Sequence, residues 1–179
     1  TGRFVHVWVN RATQRPAPAV SARARALRDS AADLLQIEAF VPGFEVALEG
    51  VMDRGALHPL ALFDKPDPLI GPFFEETIYV TPSRLPQGTQ KEIARVSAEA
   101  ARAIGLRHGP VHAELRLRSL GEETAVVVEV AGRSIGGLCS RTLRFGLGLS
   151  LEELILRHAL GRDIEELARE AGASGVMMI

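Results

Sequence analysis

The chain has 179 residues, of which 46% are hydrophobic and 24% charged, and its formal net charge is −1. This length suffices for one domain with a sizeable core. The small net charge argues against a nucleic-acid binder or a membrane-surface protein that works through bulk charge. Only Lys65 and Lys91 are lysines, so this chain alone cannot hold phosphates with several lysines. The single cysteine, Cys139, excludes an internal disulfide and favours a reducing, cytoplasmic compartment.

Neither end of the sequence looks like a natural boundary. Apolar residues begin almost at once, at Phe4 and Val5, and the last residues, Gly175–Ile179, have strand character with no closing turn. We therefore expect a fragment of a longer protein. The apolar runs are too short to cross a bilayer.

The first third of the sequence contains one helical segment and one hairpin. Ala, Arg and Leu are abundant from Ala19 to Leu35, which predicts a helix. Apolar and polar residues alternate over Phe44–Val51, which predicts a strand. A turn signal at Asp53–Gly55 and a return strand over Leu57–Phe63 complete the hairpin. Prolines and a glycine predict an irregular loop over Asp64–Pro72.

The middle of the chain combines strands with a longer helix. The sequence predicts a strand over Glu76–Thr81, a helix over Gln87–Ile104, and two strands over Val111–Arg118 and Thr124–Ala131. On the helix, four apolar residues should share the buried face: Ile93, Val96, Ala100 and Ile104.

Two short capped helices should follow the glycine-rich segment from Gly132 to Gly148. Ser150 with Glu153 forms one capping box, and Asp163 with Glu166 forms the second. Strands and helices alternate without a βαβ rhythm, so the expected fold is α+β with an antiparallel sheet flanked by helices.

A pair of carboxylates marks the predicted hairpin between the last two long strands. If its turn centres on Gly121 and Glu122, Glu114 lies opposite Glu129, and Arg118 lies opposite Ala125. Opposed residues have Cβ atoms roughly 4.5–5.5 Å apart, so two carboxylates there repel each other. A hard divalent cation with oxygen ligands is a reason to keep such a pair.

Spacing alone leaves other interpretations open. Glu114 and Glu129 could be solvated residues on the wet face of a hairpin. A three-residue loop would place them on opposite faces and remove the argument.

Several segments, in this order along the chain, resemble the carboxy-terminal part of the ATP-grasp superfamily. They are Gln36-Ile-Glu-Ala-Phe-Val-Pro-Gly-Phe-Glu45, Phe63-Asp-Lys-Pro-Asp67, Phe73-Phe-Glu-Glu-Thr77, Gly109-Pro-Val-His-Ala-Glu-Leu115 and Val128-Glu-Val-Ala-Gly-Arg133. The resemblance is to the carboxylate–amine ligase branch, which includes amino-acid ligases and carbamoyl-phosphate synthase-type enzymes. By it, residues 1–33 are a mainly helical remnant of the preceding subdomain, and residues 34–179 are the carboxy-terminal subdomain, truncated at its end.

The resemblance implies a nucleotide site with ATP and Mg²⁺ as cofactors. Glu38, Ala39 and Phe40 would lie beside the adenine, and Glu45 would bind the ribose hydroxyls. Glu114 and Glu129 would hold Mg²⁺ against the ATP phosphates.

Other implied residues concern the reaction itself. Arg133 would meet phosphate or an acyl-phosphate intermediate. Further substrate candidates are Glu76, which could orient an amine or face solvent, and Arg141 and Arg144 in the glycine-rich segment, where guanidinium groups can cradle anions. The expected reaction activates a carboxylate as an acyl phosphate for attack by an amine, with small-molecule substrates, no nucleic-acid or membrane partner, and a homodimer as one possible assembly.

Two departures from the family pattern leave alternatives. Ala131 replaces the asparagine that usually follows the second glutamate by two residues. Nothing before Leu34 resembles the glycine-rich lid and its lysines. A nucleotide-binding module without ligase activity, or a structural α+β domain, would also fit. The isolated chain is expected to be inactive.

Overall fold

The computed structural model describes residues 6–10, 15–16, 36–39, 41–67, 77–118, 125–146, 148–164 and 168–178, the first three ranges by their backbone only. Contacts divide the chain into two units, residues 1–41 with 70–75 and residues 42–69 with 76–179. In the first unit, β1 (His6–Asn10) pairs in antiparallel with β2 (Arg15–Pro16) and in parallel with β3 (Gln36–Ala39). The helix predicted over residues 19–35 lies outside the described residues.

The second unit contains a six-stranded antiparallel sheet. Its strands are β4 (Phe44–Asp53), β5 (Ala56–Lys65), β6 (Ile78–Thr81), β7 (Gly109–Leu117), β8 (Ala125–Ala131) and β9 (Ser174–Met177). The strand order across the sheet is β8-β7-β4-β5-β6-β9, with antiparallel pairing throughout. The helical segments are α1 (Gln87–Ala103), a 3₁₀ turn (Cys139–Thr142) and α2 (Leu151–Ala159). The predicted α+β fold with an antiparallel sheet is confirmed.

Each face of the sheet has its own apolar core. Helix α1 covers one face, where Val46, Leu48, Ile93, Val111, Ala113, Leu115 and Leu117 are buried. The 3₁₀ turn and α2 cover the other, where Ala47, Val51, Phe63, Cys139, Phe145 and Leu154 are buried. The alternation predicted for β4 is therefore confirmed, since its residues go in turn to the two cores.

The hairpin of β4 and β5 is longer than predicted. Arg54 (φ 49°) and Gly55 (φ 87°) both have positive φ, as the tight two-residue turn requires. The strands extend to Asp53 on one side and Lys65 on the other. The predicted loop from Asp64 was thus wrong at its start, because ladder pairing with β4 continues through Lys65.

The buried face of α1 differs from the predicted one. Ile93 is fully buried as expected, but Ile104 is 58% exposed, and the buried face continues instead through Ser97 and Ala101. Hydrophobicity alone misses Ser97, whose hydroxyl donates to the Ile93 carbonyl over 2.8 Å and is satisfied within the helix.

A β-bulge divides the pairing of β7 with β8. Glu114 lies opposite Glu129, as the sequence predicts, but the next pair is Leu115 with Val127, so Val128 is the extra residue. Beyond the bulge, Ala125 pairs with Leu117, which makes the predicted pairing of Ala125 with Arg118 wrong. The hairpin's turn lies outside the described residues.

The end of the chain confirms some predictions and overturns one. Ser150 and Glu153 form the predicted capping box at the start of α2, and the predicted final strand is β9, paired with β6. The second helix, predicted from Asp163 to Gly172, is wrong over the described residues, because Arg169 forms a β-bridge with Phe145. Among the described residues, no helix is long and apolar enough to span a membrane.

Candidate active site

A row of charged side chains crosses the face of the sheet formed by β5, β4 and β7. Strand pairing sets them side by side, with Glu45 opposite both Lys65 and Arg116, and Glu49 opposite His112. All five are at most 6% exposed. Because buried charges are costly unless paired, their contacts determine what the site can do.

Glu45 links two cations. One carboxylate oxygen, Oε1, accepts from Lys65 Nζ at 2.7 Å, and the other, Oε2, accepts from Arg116 Nε at 2.7 Å. The Lys65 ammonium also lies 4.8 Å from the centre of the Tyr79 ring. The ion pair with Glu45 and the ring of Tyr79 hold the lysine in place.

Lys65 also reaches Glu114, with an Nζ–Oε1 distance of 3.0 Å. The same oxygen lies 3.3 Å from Nε2 of His112. Burial raises the pKa of Glu114, but the His112 hydrogen bond and the Lys65 charge outweigh it and lower this pKa to about 2. Glu114 is therefore an ionised carboxylate at neutral pH although its side chain is only 14% exposed.

His112 lies between two glutamates. Its Nδ1 contacts Oε1 of Glu49, whose other oxygen accepts from the backbone N–H of Ile135 at 3.0 Å. Burial lowers the pKa of His112, but hydrogen bonds to Glu114 and Glu49 and their charges raise it to about 9. The imidazole is therefore cationic at neutral pH, and it contacts the same oxygen of Glu114 as Lys65 does.

Glu129 occupies the position across from Glu114 but is more open to solvent. Its side chain is 49% exposed, and Oε1 accepts from a terminal nitrogen of Arg133 at 2.9 Å. Arg133 is 51% exposed and also donates to the Ser134 carbonyl at 3.1 Å. The strand pair thus places one partly buried carboxylate beside one exposed carboxylate with a guanidinium next to it.

These groups fit a Mg²⁺ ion. The donors at Glu114 and Glu129 are carboxylate oxygens, which hard cations prefer. Among the described residues, the hydrogen bonds and ion pairs to each of the two carboxylates use Oε1, which leaves Oε2 of each for a cation. Mg²⁺ is commonly bound by one or two carboxylates together with substrate phosphates, so Ala131 in place of a third ligand does not exclude it.

The other predicted site residues are spread more widely. Glu38 and Ala39 lie in β3 of the first unit, where the backbone alone is described, while Phe40 and Glu76 lie outside the described residues. Arg141 is exposed in the 3₁₀ turn. Arg144 is exposed too, and its guanidinium donates to the carbonyls of Arg141 and Leu143 at 3.0 and 2.7 Å. The functional assignments of these residues stay predictions.

The sequence analysis missed Lys65, His112, Glu49 and Arg116 as members of the network. A signal was present, because these polar residues interrupt strands at positions that share a face with Glu45 and Glu114. Finding it would have required the pairing of β4 with both β5 and β7, which joins residues far apart in the sequence.

Comparison with known proteins identifies a family and several similar enzymes. Residues 18–142 match the ATP-grasp domain family. Alanine–anticapsin ligase of Bacillus subtilis (strain 168) is 32% identical over 111 residues, which are 62% of this chain and 22% of that protein. Carnosine synthase 1 of Gallus gallus is 37% identical over 82 residues, 46% of this chain and 9% of that protein.

The chain is also similar to a solved structure of a ligase. The crystal structure of L-amino acid ligase from Bacillus licheniformis is 35% identical, with a TM-score of 0.59, and the match covers 69% of this chain and 31% of that one. The chain thus spans about a fifth of the alanine–anticapsin ligase and about a third of the L-amino acid ligase.

Proposed function

The chain belongs to the ATP-grasp family, and from that premise we propose that it forms the metal- and phosphate-binding wall of an ATP- and magnesium-dependent ligase. The whole enzyme would activate a carboxylate as an acyl phosphate, which an amine then attacks. The observation that carries the proposal is the pairing of Glu114 with Glu129 across β7 and β8. A pKa of about 2 keeps Glu114 ionised for a cation under all physiological conditions.

The proposed roles follow from the contacts. Glu114 and Glu129 hold Mg²⁺, which when bound neutralises charge on the ATP phosphates. Lys65 and His112 fix the Glu114 carboxylate by their hydrogen bonds to Oε1. Arg133 directs a half-exposed guanidinium next to Glu129, where it can meet a phosphoryl oxygen or the acyl phosphate.

The nucleoside side of the site is proposed from the family resemblance. Glu38, Ala39 and Phe40 would lie by the adenine, and Glu45 would bind the ribose hydroxyls. Glu45 already orders Lys65 and Arg116, so ribose would join an existing network. The proposal also assigns residues 1–33 to the preceding subdomain and residues 34–179 to the carboxy-terminal one.

The substrates are proposed to be small molecules of the amino-acid class. Two relatives are named as ligases of amino acids, alanine–anticapsin ligase and L-amino acid ligase. Arg141, Arg144 and Glu76 are candidates for holding their charged groups. A cytoplasmic location is part of the same proposal, since the reaction consumes ATP and small metabolites.

Calorimetry of ATP binding to the full-length protein, with and without Mg²⁺, tests the metal pair. Glu129→Gln keeps the size of the side chain and removes its charge, so we expect the magnesium-dependent part of the affinity to fall at least about tenfold. Glu99→Gln is the matched control, because Glu99 forms a similarly exposed pair with Arg95 at i,i+4 on α1.

Two results would count against the proposal. Equal magnesium-dependent affinity in both variants would show that the pair does not bind the metal. Absence of ADP release from the full-length protein with every tested combination of amino acids would reject the ligase activity, whatever the binding result.

A further inference from the structure

A second cluster of metal-ligating side chains lies at the other end of β4 from Glu45. Asp53 closes β4, His108 directly precedes β7, and His158 lies in the last turn of α2. One potential ligand atom from each lies within 4.8 Å of those of the other two. Glu114 of the proposed magnesium pair lies opposite Ala47, which is six residues along β4 from Asp53, or about 20 Å, so this cluster is distinct from the proposed magnesium site.

The two distances from Asp53 to the histidines match those between ligands of a tetrahedral metal ion. Oδ1 of Asp53 lies 3.2 Å from Nδ1 of His108 and 3.4 Å from Nε2 of His158. Ligands about 2.0–2.1 Å from a tetrahedral zinc ion are about 3.3 Å from one another. The two imidazole rings are stacked, with centroids 4.0 Å apart, so the rings must rotate for both to direct a nitrogen at one ion.

The position of His158 also suits a ligand. Its Nε2 is the ring nitrogen next to Asp53, and its side chain is only 5% exposed, so the surrounding protein holds the ring in place. The cluster lines a cavity of about 420 Å³, which His58 and Asp163 also border. Three of the five histidines of the chain therefore surround one cavity.

We propose that Asp53, His108 and His158 bind one divalent transition-metal ion, with zinc as the reference ion. Two imidazole nitrogens and one carboxylate oxygen are ligands that zinc and its neighbours prefer, whereas Mg²⁺ prefers oxygen alone. Three protein ligands leave a fourth position open toward the cavity. The ion would join the end of β4 to the start of β7 and to α2, three segments distant in sequence.

Zinc titration of the full-length, metal-stripped protein by calorimetry tests this site. We expect one saturable equivalent per chain, with affinity lowered at least about tenfold in His108→Ala and in Asp53→Asn. His108 is a suitable position because its side chain is 52% exposed, so its removal leaves the core intact. Cobalt(II) in place of zinc should give the visible absorption of a tetrahedral site, which His108→Ala should abolish.

Two controls separate this site from other zinc binding. His6→Gln removes a histidine of the first unit, and Glu129→Gln disables the proposed magnesium pair; both should leave zinc affinity unchanged. Equal zinc affinity in wild type, His108→Ala and Asp53→Asn would overturn the proposal, as would the absence of a saturable equivalent. The cluster would then be a set of histidine–aspartate hydrogen bonds only.

Discussion

Lys65 of β5 and Glu114 of β7 form an ion pair of 3.0 Å across the intervening strand β4. Lys65 can bridge this gap because Glu45, its neighbour on β4, accepts from the same ammonium at 2.7 Å. One buried cation therefore forms ion pairs with two carboxylates. The resemblance assigns Glu45 to the ribose and Glu114 to Mg²⁺. This arrangement couples the position of Glu114, the proposed metal ligand, to the hairpin of β4 and β5.

Replacing Lys65 by methionine should destabilise the protein. The substitution keeps an unbranched side chain, one atom shorter, but leaves the buried carboxylate of Glu45 and the partly buried carboxylate of Glu114 with one cationic partner fewer. Breaking a buried ion pair from one side costs about 3 kcal/mol or more, and we expect a loss of that order in the free energy of unfolding. Urea denaturation followed by circular dichroism measures it.

Lys91→Met is the matched control, because Lys91 is the other lysine of the chain and is exposed on α1. The substitution should change the free energy of unfolding by no more than about 0.5 kcal/mol. A similar loss in both variants would show that the buried network does not depend on Lys65.

Much of the fold could be predicted because it follows from local patterns. Alternation identified β4, the turn at Asp53–Gly55 identified its hairpin, and the capping box at Ser150 identified α2. The pairing of Glu114 with Glu129 was also predictable, since the two strands are consecutive. Each of these features depends on residues close together in the sequence.

The parts that escaped prediction depend on distant residues or on irregular backbone. The bulge at Val128 shifts the register of Ala125, and β8 contains no glycine or proline that would have indicated it. His112 had no partner pattern in the sequence, because Glu49 is 63 residues away and comes near only when β4 and β7 pair. Arg169 lies in a bridge to Phe145 although its segment has helix signals, so tertiary contacts overrode local propensity.

The stability of the protein should fall as the pH rises from about 6.5 to about 9. The pKa of His112 is raised to about 9 in the folded protein against 6.5 for the free side chain. In this interval the folded state holds a proton that the unfolded state has released, so the His112 contribution is complete below pH 6.5 and lost above pH 9. In this interval, the free energy of unfolding should fall by up to about 1.4 kcal/mol per pH unit because of His112.

Urea denaturation at several pH values measures this slope. His112→Gln should remove the His112 part of it, whereas His108→Gln, which removes an exposed imidazole, should keep it. An unchanged slope in His112→Gln would mean that the imidazole is not held as a cation by Glu49 and Glu114.

Gly43, at the entry to β4, should not tolerate a side chain. Its φ is 138°, and a Cβ atom built there would lie 2.0 Å from the Leu117 carbonyl oxygen. We expect Gly43→Ala to cost at least about 3 kcal/mol in the free energy of unfolding, because backbone strain and a steric clash add. Thermal or urea denaturation gives the value.

Gly88→Ala is the opposite case within the same domain. Gly88 lies in α1, and nothing is within 4 Å of a Cβ placed there. The free energy of unfolding of this variant should be about 0.5–1 kcal/mol higher, because alanine has the better helix propensity. Equal effects of the two substitutions would contradict the close approach of β7 to the start of β4.

Arg133→Ala in the full-length protein should lower kcat of the ligase reaction by about 10²–10³, with a smaller change in the affinity for ATP. The reason is that a guanidinium aimed at a developing phosphoryl charge acts mainly in the transition state. Because Arg133 is 51% exposed, its loss should leave folding intact. Initial rates of ADP release give kcat, and Arg95→Ala controls for the loss of an exposed arginine paired with glutamate. Unchanged kcat in Arg133→Ala would show that Arg133 forms its salt bridge with Glu129 but takes no part in the reaction. Partial recovery of kcat in Arg133→Lys would support a role for its charge.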